Sequence, residues 1–498
     1  MMQLIGGEMV QWSDLSGAHG PAPAGGASFG PLLAAASGRT LVAGPHDPAL
    51  IDALPVSQIT VLVRGSSDAA LLAESFAGRP GVTVLCGSLE KLGASPAYDT
   101  VVALDGVERL CTPEAPDLSW DETLGLLLAV LRPQGRLLLG VENTFGLHRI
   151  LALPPAPADT DWAVAVGRPA GPADLHGRLA AAGFPTVREY AAYPSALLGA
   201  EVLSDPALRG YLEATLTAAP RASGAPPPWN GTSPAATPGA IPSLLADPGP
   251  LVTGALRHGL AASLAPGWIL LAGDIPAGPA AVLGGVTLGR DADGRWVRGD
   301  GTSIPLGRTL EDLVLAASQK RALPVVRELL TAWQAGPAAG VPAGQVVIDA
   351  EGACHGLTAP GKPLVALRGL AATLIGGGYA HLWPSPADEA SLTALLAGMT
   401  GRELEPHDVP AAGPAVPRPD AGTVRELTAA RDRLERELAD ARARHEFYER
   451  SIASRDAELK RLRQINAVLS ATAPGKAVLG GLKAGRQAVR AVVRRTRG

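Results

Sequence analysis

The feature that most constrains this chain is a regular alternation between residues 40 and 143. Short apolar runs, "TLVAG" (40–44), "ITVLVRG" (59–65), "VTVLCG" (82–87), "YDTVVALD" (98–105) and "RLLLGVEN" (136–143), read as strands. Between them, "ALIDALP" (49–55), "SDAALLAESFAG" (67–78) and "SWDETLGLLLAVLRPQG" (119–135) read as helices, the second opening near Ser67 or Asp68. Continuously apolar strands are expected where helices cover both faces of a parallel sheet. The βαβ alternation therefore predicts an α/β fold, a Rossmann-like doubly wound sheet.

The rest of the 498 residues divides by composition. Residues 1–38 are an irregular, Gly/Ala/Pro-rich segment. The doubly wound domain is expected over 39–210, closing with a helix at 173–184 and a strand at 187–194. A Pro/Gly-rich linker follows over 211–250, then a mixed α/β companion region of unnamed fold over 251–410 and a second linker over 411–421. Residues 422–470 change character. An a/d pattern runs from Val424 and Leu427 to Asn466 and Leu469 with a charged outer face, interrupted by Arg431, His445 and Arg455. This spacing predicts a coiled coil and a homodimer; a solvated helix packed on its own globular body is the plainer alternative. Residues 471–498 carry Lys476, Lys483, Arg486, Arg490, Arg494, Arg495 and Arg497 with no acidic residue. A basic amphipathic helix there could lie on an anionic membrane surface, the alternative being a solvated tail.

Bulk properties exclude several classes. A net charge of −4 and a tail without aromatics argue against nucleic acid as a specific partner. The cysteines Cys86, Cys111 and Cys354 form no C-x-x-C pair, which argues against structural zinc or a disulfide framework and suits a reducing cytoplasm. The opening "MMQLIGGEMVQW" has no basic n-region followed by a long apolar run, so no signal peptide is expected. The most apolar stretch, Leu124–Val141, is broken by Arg132-Pro133-Gln134 and is not expected to span a bilayer. The expectation is a cytoplasmic protein, with peripheral contact at the inner membrane face through the tail.

Residues 40–194 resemble the class I S-adenosylmethionine-dependent methyltransferases. "YDTVVALDGVERL" (98–110) is similar to that family's fourth strand and following helix start, and "LLAVLRPQGRLLLGVEN" to its L-x-P-G-G-x-L segment. "VENTFGLHRI" (141–150) with "AYPSALLGAEVLSDP" (192–206) is similar to a bacterial subgroup linked with surface-polysaccharide assembly. The resemblance implies S-adenosylmethionine as cofactor and a hydroxyl acceptor on a saccharide or surface-glycan precursor. It implies cofactor contacts at Gly44, Asp47, Ser88, Leu89, Asp105, Gly106 and Val107. Asp105 and His46 are the candidates for a general base.

The same stretch departs from the family pattern. The first loop reads Gly44-Pro45-His46-Asp47 with a single glycine, and Pro45 has no N–H to offer a ligand. The second strand ends in Val63-Arg64, where the family has an acidic acceptor for the ribose hydroxyls. Arg64 would suit a phosphorylated ligand instead. A nicotinamide-dependent oxidoreductase is disfavoured, because G-x-G-x-x-G is absent after the first strand. The alternative function is a catalytically inactive scaffold that self-associates through its coiled coil and docks on a membrane. Gly44 could equally be a turn glycine, and Asp105 and Glu108 a solvated helix start. His258 and His381 are expected to be structural, and no metal site is expected.

Overall fold

The computed structural model describes residues 2–17, 22–93, 95–151, 167–218, 248–379, 382–383, 388–404, 409, 421–471 and 473–495. Most of the two linkers, residues 152–166 and His381 lie outside the described residues. The chain divides into two compact units, Met1–Gly422 and Thr423–Gly498.

The first unit is built on one large sheet. Its strands are β1 (Met2–Gly6), β2 (Arg39–Ala43), β3 (Gln58–Val63), β4 (Val82–Gly87), β5 (Tyr98–Ala103), β6 (Leu131–Glu142), β7 (Thr186–Tyr193), β8 (Ala196–Leu198), β9 (Gly267–Gly273), β10 (Ala281–Leu283), β11 (Val286–Arg290) and β12 (Trp296–Arg298). They lie in the order β1-β4-β3-β2-β5-β6-β9-β7-β8-β10-β11-β12. β1 through β6 are mutually parallel, and β9 enters antiparallel between β6 and β7. Strand order reverses between β2 and β5: the chain winds from β2 outward through β3 to β4, then returns to β5 and β6.

Alternate residues of each strand feed two separate cores. Val42, Val61, Val102 and Leu138 pack with Phe29 and Leu72 on one face. Leu41, Leu62, Val101 and Leu139 pack with Trp120 and Leu127 on the other. This is the period-two output of a pleated strand buried on both sides. The helix Trp120–Ala129 starts on a capping box, with the Glu122 N–H donating to Ser119 Oγ at 3.3 Å and the Ser119 N–H to Glu122 Oε2 at 2.7 Å.

Two sequence expectations need correction. The irregular segment 1–38 contains a strand: β1 adds itself in parallel to β4, and Ala27–Leu33 is helical. The boundary between 39–210 and 251–410 does not separate two folds, because β9 to β12 complete the sheet of the first region. β9 reads "GWILLAG" and is buried nearly throughout because β6 and β7 flank it. What remains of the companion region is a small three-stranded sheet, β13 (Arg308–Thr309), β14 (Val346–Ile348) and β15 (Cys354–Gly356). Four helices pack a core with it around Leu330, Trp333, Leu370 and Leu396.

The second unit is two helices, Ala421–Ala471 and Ala473–Arg495. At 1.5 Å per residue the first is roughly 75 Å long. Its predicted heptad positions Leu434, Leu438, Tyr448, Ile452, Leu459 and Leu462 are all about half or more exposed, between 49% and 61%. Among the described residues, no helix is long and apolar enough to cross a membrane.

Because β9 closes the sheet, a chain truncated at residue 250 is expected to leave the apolar edges of β6 and β7 open and to aggregate. A chain ending at 422 is expected to melt cooperatively. Limited proteolysis and near-ultraviolet circular dichroism on the two truncations check this. A protease-resistant, native-like 1–250 fragment would contradict the shared-sheet account.

Candidate functional site

In an open α/β sheet the ligand crevice lies beyond the carboxyl ends of the strands where strand order reverses. Here that point is the pair of loops after β2 and β5, which hold most of the residues singled out by sequence.

His46 is fully buried, and both ring nitrogens are taken. Nδ1 lies 3.0 Å from the Gly44 carbonyl, and the Leu104 N–H donates to Nε2 at 3.1 Å. The proton therefore sits on Nδ1, and the imidazole ties the β2 loop to the β5 loop. Burial lowers its pKa to about 4, against the opposing pull of the Gly44 carbonyl. His46 is a brace, not a general base. Asp47 is likewise a helix cap: its carboxylate accepts from the Ala49 N–H at 2.8 Å, opening Pro48–Asp52.

Asp105 is 7% exposed and gives both carboxylate oxygens to Arg109, Oδ2 accepting from Nε at 2.7 Å and Oδ1 from Nη2. This bidentate pair removes it from the role of base. Gly44 (φ +92°) and Gly106 (φ +92°) hold left-handed turns that favour glycine. A Cβ on Gly44 would meet Leu110 at 3.3 Å, and one on Gly106 would meet the Glu108 carboxylate at 2.4 Å. Ser88 is fully buried, its hydroxyl donating to Glu90 and accepting from the Thr112 N–H at 3.1 Å. Leu89 and Val107 belong to the core behind Trp120.

The polar ends of β3 and β4 are covered by the chain's own N-terminal segment. Met9 exchanges backbone hydrogen bonds with the Arg64 carbonyl and the Ser66 N–H, at 2.8 and 3.0 Å. A Cβ on Gly65 would lie 2.4 Å from the Trp12 carbonyl oxygen. Arg64 is 5% exposed and forks onto Asp14, Nε to Oδ2 at 2.8 Å and Nη2 to Oδ1 at 2.9 Å, with Trp12 over its face. Burial pushes the Asp14 carboxyl up, but the Arg64 hydrogen bonds and charge outweigh it and hold the group below the usual carboxylate range. Asp68 accepts from Ser13 Oγ and from the N–H groups of Asp14 and Leu15. Burial, helped by the Asp14 charge, nonetheless raises its pKa. Further along, the Ala24 N–H donates to the Pro45 carbonyl at 3.1 Å.

The groups that would read a nucleoside are thus satisfied internally. Arg64 stands where an acidic ribose acceptor is expected, with Asp14 seated on it. In this conformation Asp14 and the strand-like pairing of Met9 close the ribose side of the crevice.

A second polar cluster lies beyond the ends of β5 and β6. Glu142 closes β6, and its Oε1 accepts from His148 Nε2 at 2.9 Å and Arg149 Nε at 2.8 Å. Arg168 bridges to Glu142 at 3.6 Å and to Glu108 at 3.5 Å. Burial pushes Glu142 up, yet the His148 and Arg149 contacts prevail and bring it to about 2. Burial raises the Glu108 carboxyl against the pull of Arg168. With its Nε2 proton given to Glu142, His148 turns an Nδ1 lone pair elsewhere. That atom is buried and has no hydrogen-bond partner among the described residues. Sequence reasoning quoted "VENTFGLHRI" but did not select His148. The signal available was a Glu and a His six residues apart across a strand-to-helix turn. His258 is exposed, in keeping with a residue outside the site.

No family model and no curated protein matches the chain. Solved structures match parts of the chain at low identity and low TM-score. The CcbJ methyltransferase of Streptomyces caelestis is 19% identical, covering 34% of this chain and 90% of that one, with a TM-score of 0.25. The 1,6-didemethyltoxoflavin-N1-methyltransferase of Burkholderia thailandensis, solved with S-adenosylhomocysteine, is 20% identical over 30% of this chain and 61% of that one, with a TM-score of 0.21. The [4+2]-cyclase SpnF is 17% identical over 49% and 80%, with a TM-score of 0.26. The Rossmann-like architecture is read from the strand order above.

Because neutral His46 is required by the fold, its contribution is complete above pH 6.5 and is lost as pH falls from 6.5 toward about 4. Chemical denaturation across that range is expected to lose this slope in His46→Gln, which can still donate and accept. His46→Ala is expected to cost about 1–3 kcal/mol for each of the two backbone groups left unpaired. An unchanged pH profile in His46→Gln would remove the bracing role.

Proposed function

We propose that the first unit acts in S-adenosylmethionine-dependent methyl transfer to a hydroxyl, with a saccharide or surface-glycan precursor as acceptor. The observation that carries this reading is the Glu142–His148 pair beside the switch-point loops. A hydroxyl is a poor nucleophile until its proton leaves, and an imidazole oriented by a carboxylate is suited to take it. Glu142 holds the ring and stabilises the imidazolium that forms; Nδ1 of His148 is the atom that receives the proton. His148 replaces Asp105 and His46 in that role. The saccharide class is supported by the resemblance of residues 141–150 and 192–206.

A second reading is favoured by the Asp14–Arg64 closure. If the N-terminal segment never leaves, the first unit is a catalytically inactive scaffold, and self-association through 422–470 becomes the working property. The half-exposed heptad face supports a homodimer in either case.

Calorimetric titration of S-adenosylmethionine and S-adenosylhomocysteine into the full chain separates the two. Asp14→Asn keeps the shape and removes the carboxylate charge that pairs with Arg64. It is expected to bind S-adenosylhomocysteine about tenfold tighter than the parent chain, a change of about 1.4 kcal/mol. His148→Ala is expected to leave that affinity unchanged while methylation of a saccharide hydroxyl falls about 10²–10⁴-fold. No heat from either folded protein would establish the scaffold reading. Sedimentation equilibrium checks the dimer: Leu438→Asp with Leu462→Asp is expected to halve the mass, and an unchanged mass would refute pairing through this helix.

A further inference from the structure

We infer that the helix Ala473–Arg495 is a docking surface for an anionic lipid bilayer, on which it lies flat. At 100° per residue, Val478, Leu482, Gly485 and Val489 share one side of this helix. Val478, Leu482 and Val489 are exposed by 55%, 63% and 63%, so they are left largely uncovered among the described residues. Lys483, Arg486 and Arg490 follow on the adjoining side, all exposed. Across residues 471–498 there are seven cations and no anion.

Three observations commit the occupant. Gly480, Gly481 and Gly485 weaken the helix in water, and a Cβ on any of them would meet open space, so close packing does not require them. Such a helix depends on something that takes its apolar face. A second copy would bring the two sets of like charges together. Nucleic acid would use the cations but leave the apolar side in water, and the segment has no aromatic for stacking. An anionic bilayer takes both faces at once: acyl chains accept the valines and leucine, and headgroup phosphates accept the cations. Among the described residues no helix is long and apolar enough to cross, so the contact is interfacial. The inference is independent of whether the crevice opens.

The test uses the full chain and co-sedimentation with vesicles of phosphatidylcholine, with and without one third phosphatidylglycerol. Partitioning is expected to be about tenfold or more stronger on the anionic vesicles and to weaken with added salt. Arg486→Glu with Arg490→Glu is expected to abolish the preference for phosphatidylglycerol. Leu482→Asp with Val489→Asp is expected to abolish binding at unchanged net basicity of the adjoining side. Wild-type binding to anionic vesicles that survives Leu482→Asp and Val489→Asp overturns the inference. So does displacement of the chain from vesicles by duplex DNA together with insensitivity to those two substitutions, which would assign the tail to nucleic acid. A change of oligomeric mass in the same variants without loss of vesicle binding would assign the face to a second copy.

Discussion

The first unit depends on two buried ion pairs at the reversal of its strand order. Arg64 at the end of β3 and Arg109 after β5 are each forked by a carboxylate, Asp14 and Asp105. Charges removed from water must be paired almost completely, and losing one partner costs about 3–5 kcal/mol. This requirement explains why residues 9–17 are held against the sheet rather than trailing from it. It also explains the opposite behaviour of neighbouring carboxyls: Asp14 is held ionised by Arg64, while Asp68 is driven toward its neutral form by burial. His46 completes the arrangement with neutral hydrogen bonds between the two loops.

Polar satisfaction at the strand ends is incomplete. Arg64, Asp14, Asp105 and His46 are matched inside the chain. Glu90 Oε1, Thr112 Oγ1 and His148 Nδ1 are buried and without a hydrogen-bond partner among the described residues. Buried polar atoms without partners are exceptions in folded proteins and mark places where a ligand or strain is involved. Glu142 holds the His148 ring through Nε2, and Arg149 and Arg168 in turn hold Glu142. On the proposed reading the chemistry lies on the β6 side, while the N-terminal segment covers the end of β3. The fold alone decides neither point, since one architecture hosts many activities.

The second unit follows a different logic. A globular body hides its apolar residues from water, but these two helices keep their described large apolar residues, from Leu434 to Val489, exposed. On the proposals made above, the long heptad segment would meet a like helix and the basic one a charged interface.

The sequence by itself determined the strands, helices and class of the first unit. Period-two burial, continuous apolar runs and the Ser119–Glu122 cap are local properties, set within a few residues by backbone geometry. The 3.5-residue repeat and the one-sided charge of the tail are local in the same sense. The sequence also placed the candidate residues at strand ends, because a strand stops where its apolar run stops. Tertiary structure decided the rest. β1 is five residues at the far edge, and β9 joins β6 from over a hundred residues away; neither pairing leaves a local trace. Roles were decided the same way. Arg64 finds its carboxylate fifty residues upstream, and His46 finds the Leu104 N–H fifty-eight residues downstream. Side-chain chemistry announces that a residue can titrate, but whether it braces, pairs or faces a substrate depends on which distant groups the fold brings within 3 Å.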